Sequence, residues 1–226
     1  MLITLEGIDG VGKTSICDGL AERFPYAIMT REPQDKSFIT EHARTRASRT
    51  YAYMLDHAHH VEDLISKKND DELIICDRYI DSRCVYQSVD SNVPISRIRN
   101  FHFDEFTPTP DLTIILIADI NEIKTRLKKR DGDQYYNDTL ELSEEEVAKR
   151  EKEYLTMLQK VQNKYLQIAK KEPERCFVID VTYAPLYETV NYIEKVIVTK
   201  FSKTIENFRL MAKNRKVIEE SITRIC

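Results

Sequence analysis

The sequence predicts an α/β fold, in which a five-stranded parallel sheet carries helices on both faces and so forms three layers. Five short apolar runs are spread along the 226 residues, and long segments with helical spacing separate them. Such runs are typical of parallel strands that are buried on both faces and joined by right-handed crossovers. A glycine-rich loop directly follows the first run, where doubly wound sheets bind their ligands.

Predicted strands and helices alternate along the chain. The strands are the apolar runs at residues 2–5, 27–29, 73–76, 112–118 and 176–179. The clearest helices are predicted at residues 14–23, at 121–130 and from about 143 to 171. Phe201, Ile205, Phe208 and Met211 recur at helical spacing, which predicts one more amphipathic helix. The pattern leaves open whether that helix packs on its own core or on a partner.

Composition narrows the classes of function. The length suits one domain with a small lid. A formal net charge of −4 argues against a protein that wraps nucleic acid, although local arginine clusters could still hold phosphates. The five cysteines show no C-x-x-C pair, so they are expected to be reduced packing residues. Because no apolar stretch approaches a membrane span, we expect no membrane partner and a cytoplasmic location.

The loop at residues 7–14 matches the pattern G-x-x-x-x-G-K-[ST] without a mismatch, which indicates a site for nucleotide phosphates. Glycines let backbone N–H groups turn towards a polyphosphate, and the start of the next helix adds its positive end. We expect Lys13 to reach the β/γ oxygens of ATP and the Thr14 hydroxyl to bind Mg²⁺. The predicted ATP-binding residues of this loop are Gly7, Asp9, Gly10, Val11, Gly12, Lys13, Thr14 and Ser15.

Two charged residues, Asp77 and Arg78, follow the third predicted strand. A carboxylate at this strand end, next to the phosphate loop, is placed to orient Mg²⁺ or its waters. An arginine can clamp an acceptor phosphate with two parallel hydrogen bonds. A purely structural ion pair is the alternative interpretation of the two residues.

Five motifs occur in an order that resembles the thymidylate kinase family. They are Leu5-Glu6-Gly7, Thr30-Arg31-Glu32-Pro33, Asp77-Arg78-Tyr79 with Tyr86-Gln87 downstream, Asp111-Leu112-Thr113 and Ile179-Asp180. The resemblance covers residues 1–199 as a P-loop kinase domain, with a lid at about 126–140. Residues 200–226 would form a C-terminal helical extension outside it.

The resemblance implies transfer of the γ-phosphoryl group of ATP to dTMP, with Mg²⁺, for the supply of dTDP and then dTTP. It also implies a homodimer, with the helices after Tyr53 and Asp81 as candidate surfaces. Asp9 would accept the 3′-hydroxyl of the acceptor sugar, and Arg31 would contact its phosphate. Tyr86 and Gln87 would line the sugar and base pocket.

The lid implied by the resemblance contains Arg126 and Arg130. Because the phosphate loop has no arginine, the lid should supply a cation to the transferring phosphoryl group, and Arg130 is the better candidate. An ordinary solvated helix face is the alternative. With Lys13, Arg78 and Asp9, Arg130 completes the predicted catalytic set, and Asp133 would be an acid of the lid.

The chain departs from the family pattern in the base pocket. The family has a phenylalanine that stacks on thymine and, four residues later, an arginine that donates to thymine O4; here Tyr53 and His57 take these places. Arg83 stands where the family has a small or uncharged residue. Arg83 could supply the missing cation from the opposite side of the base pocket. Alternatively, it could face solvent while His57 alone donates to thymine O4.

These departures leave the acceptor base open. Thymine is the first choice, dUMP or a 5-modified dUMP is the closest alternative acceptor, and guanine is less favoured. A different class of protein also stays open, namely a nucleotide-binding interaction module that has lost turnover. Retention of Lys13, Thr14, Asp77 and Arg78 argues against that second class.

Overall fold

The computed structural model describes most of the chain. It omits residue 43 and residues 66–71, 91–93, 103–106, 133–142 and 224–226, and for residues 100–102 and 214–223 it describes the backbone only. Among the described residues, no helix combines the length and the apolar character that a membrane crossing requires.

The predicted five-stranded parallel sheet is confirmed. Its strands are β1 (Leu2–Gly7), β2 (Ile28–Arg31), β3 (Ile74–Asp77), β4 (Leu112–Ile117) and β5 (Cys176–Asp180). All four strand pairs are parallel, and the spatial order is β2-β3-β1-β4-β5. Each strand lies within about two residues of its predicted apolar run. The inner strands β1, β3 and β4 are almost fully buried, as predicted, whereas the edge strands β2 and β5 are only partly buried.

Helices cover both faces of the sheet. They are α1 (Lys13–Arg23), α2 (Lys36–His42), α3 (Arg46–His60), α4 (Ile80–Asp90), α5 (Ile95–His102), α6 (Ile120–Asp131), α7 (Glu144–Lys171), α8 (Leu186–Lys200) and α9 (Ser202–Thr223), with a π-helical turn (Val61–Ile65) directly after α3. Side chains cap several N-termini: Ser143 and Glu146 form a capping box on α7, and Asp119 accepts from the first amides of α6.

The C-terminal helix packs at least partly on its own chain. Ile205 and Phe208 of α9 are 1% and 4% exposed and belong to the main hydrophobic core. Leu210 and Met211, one turn further on, are exposed. The apolar spacing seen in the sequence therefore serves this chain's core over the first half of the helix.

The carboxyl ends of all five parallel strands lie at one edge of the sheet. Gly7, Arg31 and Asp77 end the neighbouring strands β1, β2 and β3, and Asp77 pairs in register with both Leu5 and Arg31. Ligands of open parallel sheets bind beyond this edge. The fold therefore brings the predicted phosphate loop, Asp77 and Arg78 together.

A buried ion pair ties α4 to the sheet below this edge. Arg175 donates from Nη1 to Oδ2 of the fully buried Asp81 at 2.6 Å and from Nη2 to Oδ1 at 3.0 Å. Its Nη1 also donates to Thr113 Oγ1 of β4 at 2.6 Å, and its Nε donates to Glu172 at 2.7 Å. Nearly all donors of this guanidinium are therefore satisfied inside the protein.

Replacement of Arg175 by methionine is expected to destabilise the fold strongly, because it leaves the Asp81 carboxylate buried without its main partner. R175M should lower the free energy of unfolding by about 3–5 kcal/mol. R23M is the matched control: Arg23 lies 3.6 Å from Glu194 at the surface, and such pairs contribute less than about 1 kcal/mol. Urea unfolding of the two variants checks the prediction. An equal decrease in the free energy of unfolding in R175M and R23M would contradict it.

Candidate active site

Two glycines shape the phosphate loop. Gly7 ends β1 at φ +145°, and a Cβ atom there would lie 2.5 Å from the carbonyl oxygen of Leu116 on β4. Gly12 has φ +100° and directly precedes α1, whose first turn carries Lys13, Thr14 and Ser15. Side chains rarely adopt such backbone angles, so glycine is required at both turns. The loop thus delivers the N-terminus of α1 to the sheet edge.

Lys13 is folded back over the loop. Its Nζ donates to the carbonyl oxygens of Gly7 at 3.0 Å and Ile8 at 2.9 Å. Burial, and then the nearby positive charge of Arg78, lower its pKa to about 8. An anion bound in the loop would favour the charged ammonium, so the side chain is suited to phosphate.

Thr14 and Asp77 lie together where β3 ends. The Thr14 hydroxyl donates to Asp77 Oδ2 at 3.0 Å. The other carboxylate oxygen, Oδ1, is buried and has no hydrogen-bond partner in the described part of the chain. One hydroxyl and one carboxylate with a spare oxygen suit Mg²⁺, which keeps waters and takes its remaining ligands from substrate phosphates. No cluster of three or more potential metal-ligating side chains occurs among the described residues.

Arg78 lies between the phosphate loop and the rest of the site. Its Nη1 donates to the carbonyl oxygen of Gly7 at 3.1 Å, and its Nη2 donates to the Asp9 carboxylate. Its guanidinium carbon lies 5.0 Å from the centre of the Tyr86 ring, within reach of a cation–π interaction. The side chain is thus fixed in orientation before any ligand binds.

Asp9 is held from two sides. Arg78 binds one carboxylate oxygen, and the hydroxyl of Tyr154, on α7, donates to the other at 3.0 Å. Burial acts to raise the pKa of Asp9, but the charges of Arg78 and Lys13, together with the hydrogen bond from Tyr154, outweigh burial and lower it. The carboxylate therefore stays ionised and can accept a further hydroxyl.

A single cavity of about 1030 Å³ joins most of the predicted site. It starts at the phosphate loop, passes Asp77 and Arg78, and reaches Tyr53 and Gln87 at its other end. The predicted residues that line it are Asp9, Gly10, Gly12, Lys13, Thr14, Ser15, Arg31, Tyr53, Asp77, Arg78, Arg83, Tyr86, Gln87, Arg126 and Arg130. Val11 is instead buried, at 1% exposed, below the loop, and Gly7 belongs to β1.

The far wall of the cavity rests on one buried carboxylate, Glu32. His57 and His60 each place Nδ1 2.7 Å from Glu32 Oε1, and Arg83 donates from Nε to Oε2 at 3.1 Å. All four side chains are buried. His60 also contacts Thr30 through Nε2 at 2.9 Å. Glu32 therefore organises two histidines from α3 and one arginine from α4 around itself.

Of the two candidate base-reading residues, the structure brings Arg83 to the cavity. Arg83 is only 4% exposed, so it does not face solvent, and its guanidinium carbon lies 4.6 Å from the centre of the Tyr53 ring. His57 is directed at Glu32 and at the ring of Tyr79, 4.9 Å away between ring centres, and it is not among the residues that line the cavity. Of these two residues, Arg83 is therefore the one that presents a cation to the cavity.

The two arginines of α6 differ. Arg126 is engaged by the protein, because Nη2 donates to the carbonyl oxygens of Val181 and Thr182 at 2.7 Å each. Arg130 is exposed, binds Asp131 next to it, and faces the cavity. Of the two, Arg130 is the more accessible to a ligand. Asp133 and the rest of the predicted lid beyond Gly132 lie outside the described residues.

Sequence reasoning missed two residues of the site. Tyr154 contacts Asp9 across 145 positions of the chain, and helical spacing alone could not show which face of α7 meets the loop. The sequence marks Glu32 only as part of the T-R-E-P motif. A buried acid close to three basic side chains would have indicated the role of Glu32. The sequence does not show this, because it does not reveal that α3 and α4 both face Glu32.

The chain is a nucleoside monophosphate kinase of the P-loop class: its phosphate loop opens into one cavity of about 1030 Å³ that also contains the predicted acceptor-binding residues Arg31, Arg78 and Tyr86. Comparison with known proteins specifies the family. The thymidylate kinase family model matches residues 5–193, and the chain belongs to that family.

Relatives and solved structures agree with this assignment. A probable thymidylate kinase of Methanospirillum hungatei is 34% identical over 203 residues, which cover 82% of this chain and 88% of that protein. A thymidylate kinase of Ligilactobacillus salivarius is 31% identical, with 80% and 89% covered. The structure of thymidylate kinase from Ehrlichia chaffeensis has a TM-score of 0.62 at 25% identity and covers 87% of this chain and 98% of that one. The Candida albicans thymidylate kinase structure shares the fold, with a TM-score of 0.68 at 20% identity, covering 90% of this chain and 92% of that chain.

Removal of the Tyr154 hydroxyl is expected to raise the pKa of Asp9. Y154F deletes one of the contacts that stabilise the ionised carboxylate, and R78M, which deletes the stronger electrostatic contact, should raise that pKa further. NMR titration of labelled aspartate carboxyl groups measures both shifts. Y183F is the control, because Tyr183 is 87% exposed. An Asp9 pKa that is the same in Y154F and the parent would contradict the contact.

Proposed function

We propose that this chain transfers the γ-phosphoryl group of ATP to dTMP, giving ADP and dTDP. The supporting observation is the one cavity that runs from Lys13 and Thr14, past Arg78, to Tyr53 and Arg83. A donor at the phosphate loop and an acceptor nucleotide at the other end would bring their phosphates together beside Arg78. Membership of the thymidylate kinase family supports dTMP as the acceptor.

On the donor side, the phosphate loop and Lys13 hold the polyphosphate of ATP. Thr14 and Asp77 would hold Mg²⁺, which would supply positive charge to neutralise the β- and γ-phosphates. Arg130 adds a further positive charge where the phosphoryl group transfers, since it is exposed and faces the cavity. Arg126 donates to the backbone carbonyls of Val181 and Thr182, so it supports the donor site by holding the loop after β5.

On the acceptor side, Arg78 and Arg31 bind the monophosphate, and Asp9 accepts the 3′-hydroxyl of the sugar. Both arginines line the cavity, and Asp9 lies against Arg78. The ring of Tyr86 packs against the sugar. The monophosphate is already an anionic nucleophile, so no general base is needed, and catalysis consists of in-line positioning and charge stabilisation.

We propose that Arg83 reads the base while Tyr53 stacks on it and Gln87 lines the pocket floor. A guanidinium donates hydrogen bonds and accepts none, so it favours the O4 carbonyl of thymine over the N4 amino group of cytosine. Glu32 keeps Arg83 in place, with Nε donating to it at 3.1 Å. His57 then supports the wall by binding Glu32 and does not touch the base.

We also propose a cytoplasmic homodimer. Tyr51 and Leu55 lie one turn apart on α3 and are 66% and 46% exposed, which supports α3 as the dimer surface. The other helix suggested by the resemblance, α4, is almost wholly buried in its own chain. Four of the five cysteines lie among the described residues and are free thiols, which supports a reducing compartment.

A coupled assay of ADP release with ATP and Mg²⁺ tests the function directly. With dTMP, dUMP, 5-hydroxymethyl-dUMP, dGMP, dCMP and UMP as acceptors, we expect the highest kcat/KM for dTMP. K13A should lower kcat at least about a hundredfold, because the cation at the transferring group is lost. K170A, at an exposed lysine of α7, is the control. Turnover that favours another acceptor, or K13A within a few-fold of the parent, would reject the proposal.

Moving the arginine from position 83 on α4 to position 57 on α3 tests the role of Arg83. R83S is expected to lower kcat/KM for dTMP by about 10- to 100-fold and to reduce the preference for dTMP over dCMP. H57R/R83S restores an arginine beside Glu32 from α3. It should recover part of the lost kcat/KM and part of the lost preference for dTMP over dCMP. H57Q should change the preference less than threefold. Greater loss of selectivity in H57Q than in R83S would show that His57 is the reader.

A further inference from the structure

The backbone of Arg78 is in an unusual conformation. Its φ is +70°, and among the described residues it is the non-glycine residue with a positive φ. Such a conformation costs about 1–3 kcal/mol and persists only where the surroundings hold it. The next amide is held by a buried side chain: Tyr79 N donates to Glu6 Oε1 at 2.9 Å.

Glu6 also holds the side-chain end of Arg78. Its second oxygen, Oε2, accepts a short hydrogen bond from Ser82 Oγ and another from Tyr165 OH at 3.1 Å. The same Ser82 oxygen lies 3.3 Å from Arg78 Nη1. One carboxylate on β1 thus contacts the amide that follows Arg78 and the hydroxyl that touches its guanidinium.

We propose that Glu6 is a positioning residue for phosphoryl transfer, which sets the direction of the Arg78 guanidinium through the Tyr79 amide and Ser82. The inference rests on the proposed function, because it takes Arg78 to bind the acceptor phosphate. Glu6 does not line the cavity and is fully buried, so it cannot touch a ligand and acts through its neighbours, of which Arg78 is linked to it at both ends. Its place in the chain, directly before Gly7, couples the phosphate loop to the acceptor site.

The hydrogen bonds of Glu6 depend on its ionisation. Burial, and then the charge of Asp81, raise its pKa to about 7. The charged and titratable groups around it are Lys13, Arg78, Asp81, Tyr79, Tyr165, Cys76 and Cys84. Asp81 is itself paired with Arg175. An ionised carboxylate accepts at both oxygens, whereas a protonated one, like a glutamine, donates at one end, so the hydroxyls of Ser82 and Tyr165 would have to reverse their hydrogen bonds to it.

The test compares the parent with E6Q, which keeps the shape of the side chain. We expect E6Q to lower kcat for dTMP about ten- to a hundredfold at pH 8, with less than a threefold change in KM for ATP. The ratio of parent kcat to E6Q kcat should fall towards one between pH 8 and pH 6. Because ionisation of the substrate phosphate affects both enzymes, it cancels in this ratio.

Two further variants separate the effect of the Glu6 side-chain position on kcat from the effects of its charge and of the stability of the fold. E6D keeps the negative charge but shortens the side chain, so it should also lose kcat. T4V removes a buried hydrogen bond on the same strand, Thr4 Oγ1 to Thr113 Oγ1 at 3.0 Å, and should lower the melting temperature while leaving kcat unchanged. Thermal melts establish that each variant is folded.

The outcomes distinguish the inference from the function on which it rests. Folded E6Q and E6D with kcat within threefold of the parent at both pH values would overturn the role of Glu6, while the kinase activity would stand. A parent enzyme without turnover on any monophosphate would instead reject the proposed function.

Discussion

Arg78 is the residue on which the geometry of the site depends, because its guanidinium contacts the phosphate loop and the acceptor end of the cavity at once. It donates to Gly7 and Asp9 of the loop and lies over the ring of Tyr86. A flexible cation in this place would lose conformational entropy on binding each phosphate. Fixed by protein groups beforehand, it presents its charge at little further cost.

A similar arrangement recurs in and below the site: three arginines are each oriented by a buried or half-buried carboxylate. Glu32 holds Arg83, Asp9 holds Arg78, and Asp81 holds Arg175 one layer below. Removing such charges from water is costly unless they are paired and hydrogen-bonded. The site therefore needs nearly as many acids as arginines, which is consistent with a slightly acidic chain that binds anionic substrates.

Much of the fold could be predicted from the sequence, since the five strands of the sheet appear as five apolar runs and the phosphate loop has a fixed residue pattern. Contacts between distant side chains could not. Nothing near Tyr154 indicates that its hydroxyl meets Asp9, and the distance between His57 and Arg83 in sequence conceals their shared partner, Glu32. The sequence shows that an arginine is missing at position 57 and present at position 83, as a departure from the family pattern. It does not show that both positions meet Glu32 beside the cavity, because that depends on how α3 and α4 pack.

The lowered pKa of Lys13 has a consequence for the heat of nucleotide binding. With a pKa lowered to about 8, this amine is partly deprotonated in the free enzyme at mildly alkaline pH. A polyphosphate in the loop favours the ammonium, so binding draws a fraction of a proton from the solution. The enthalpy measured by calorimetry then contains the ionisation heat of the buffer, and this contribution differs between phosphate and Tris. Nucleotide binding by this chain is thus coupled to proton uptake, through a side chain whose two resting partners are backbone carbonyls.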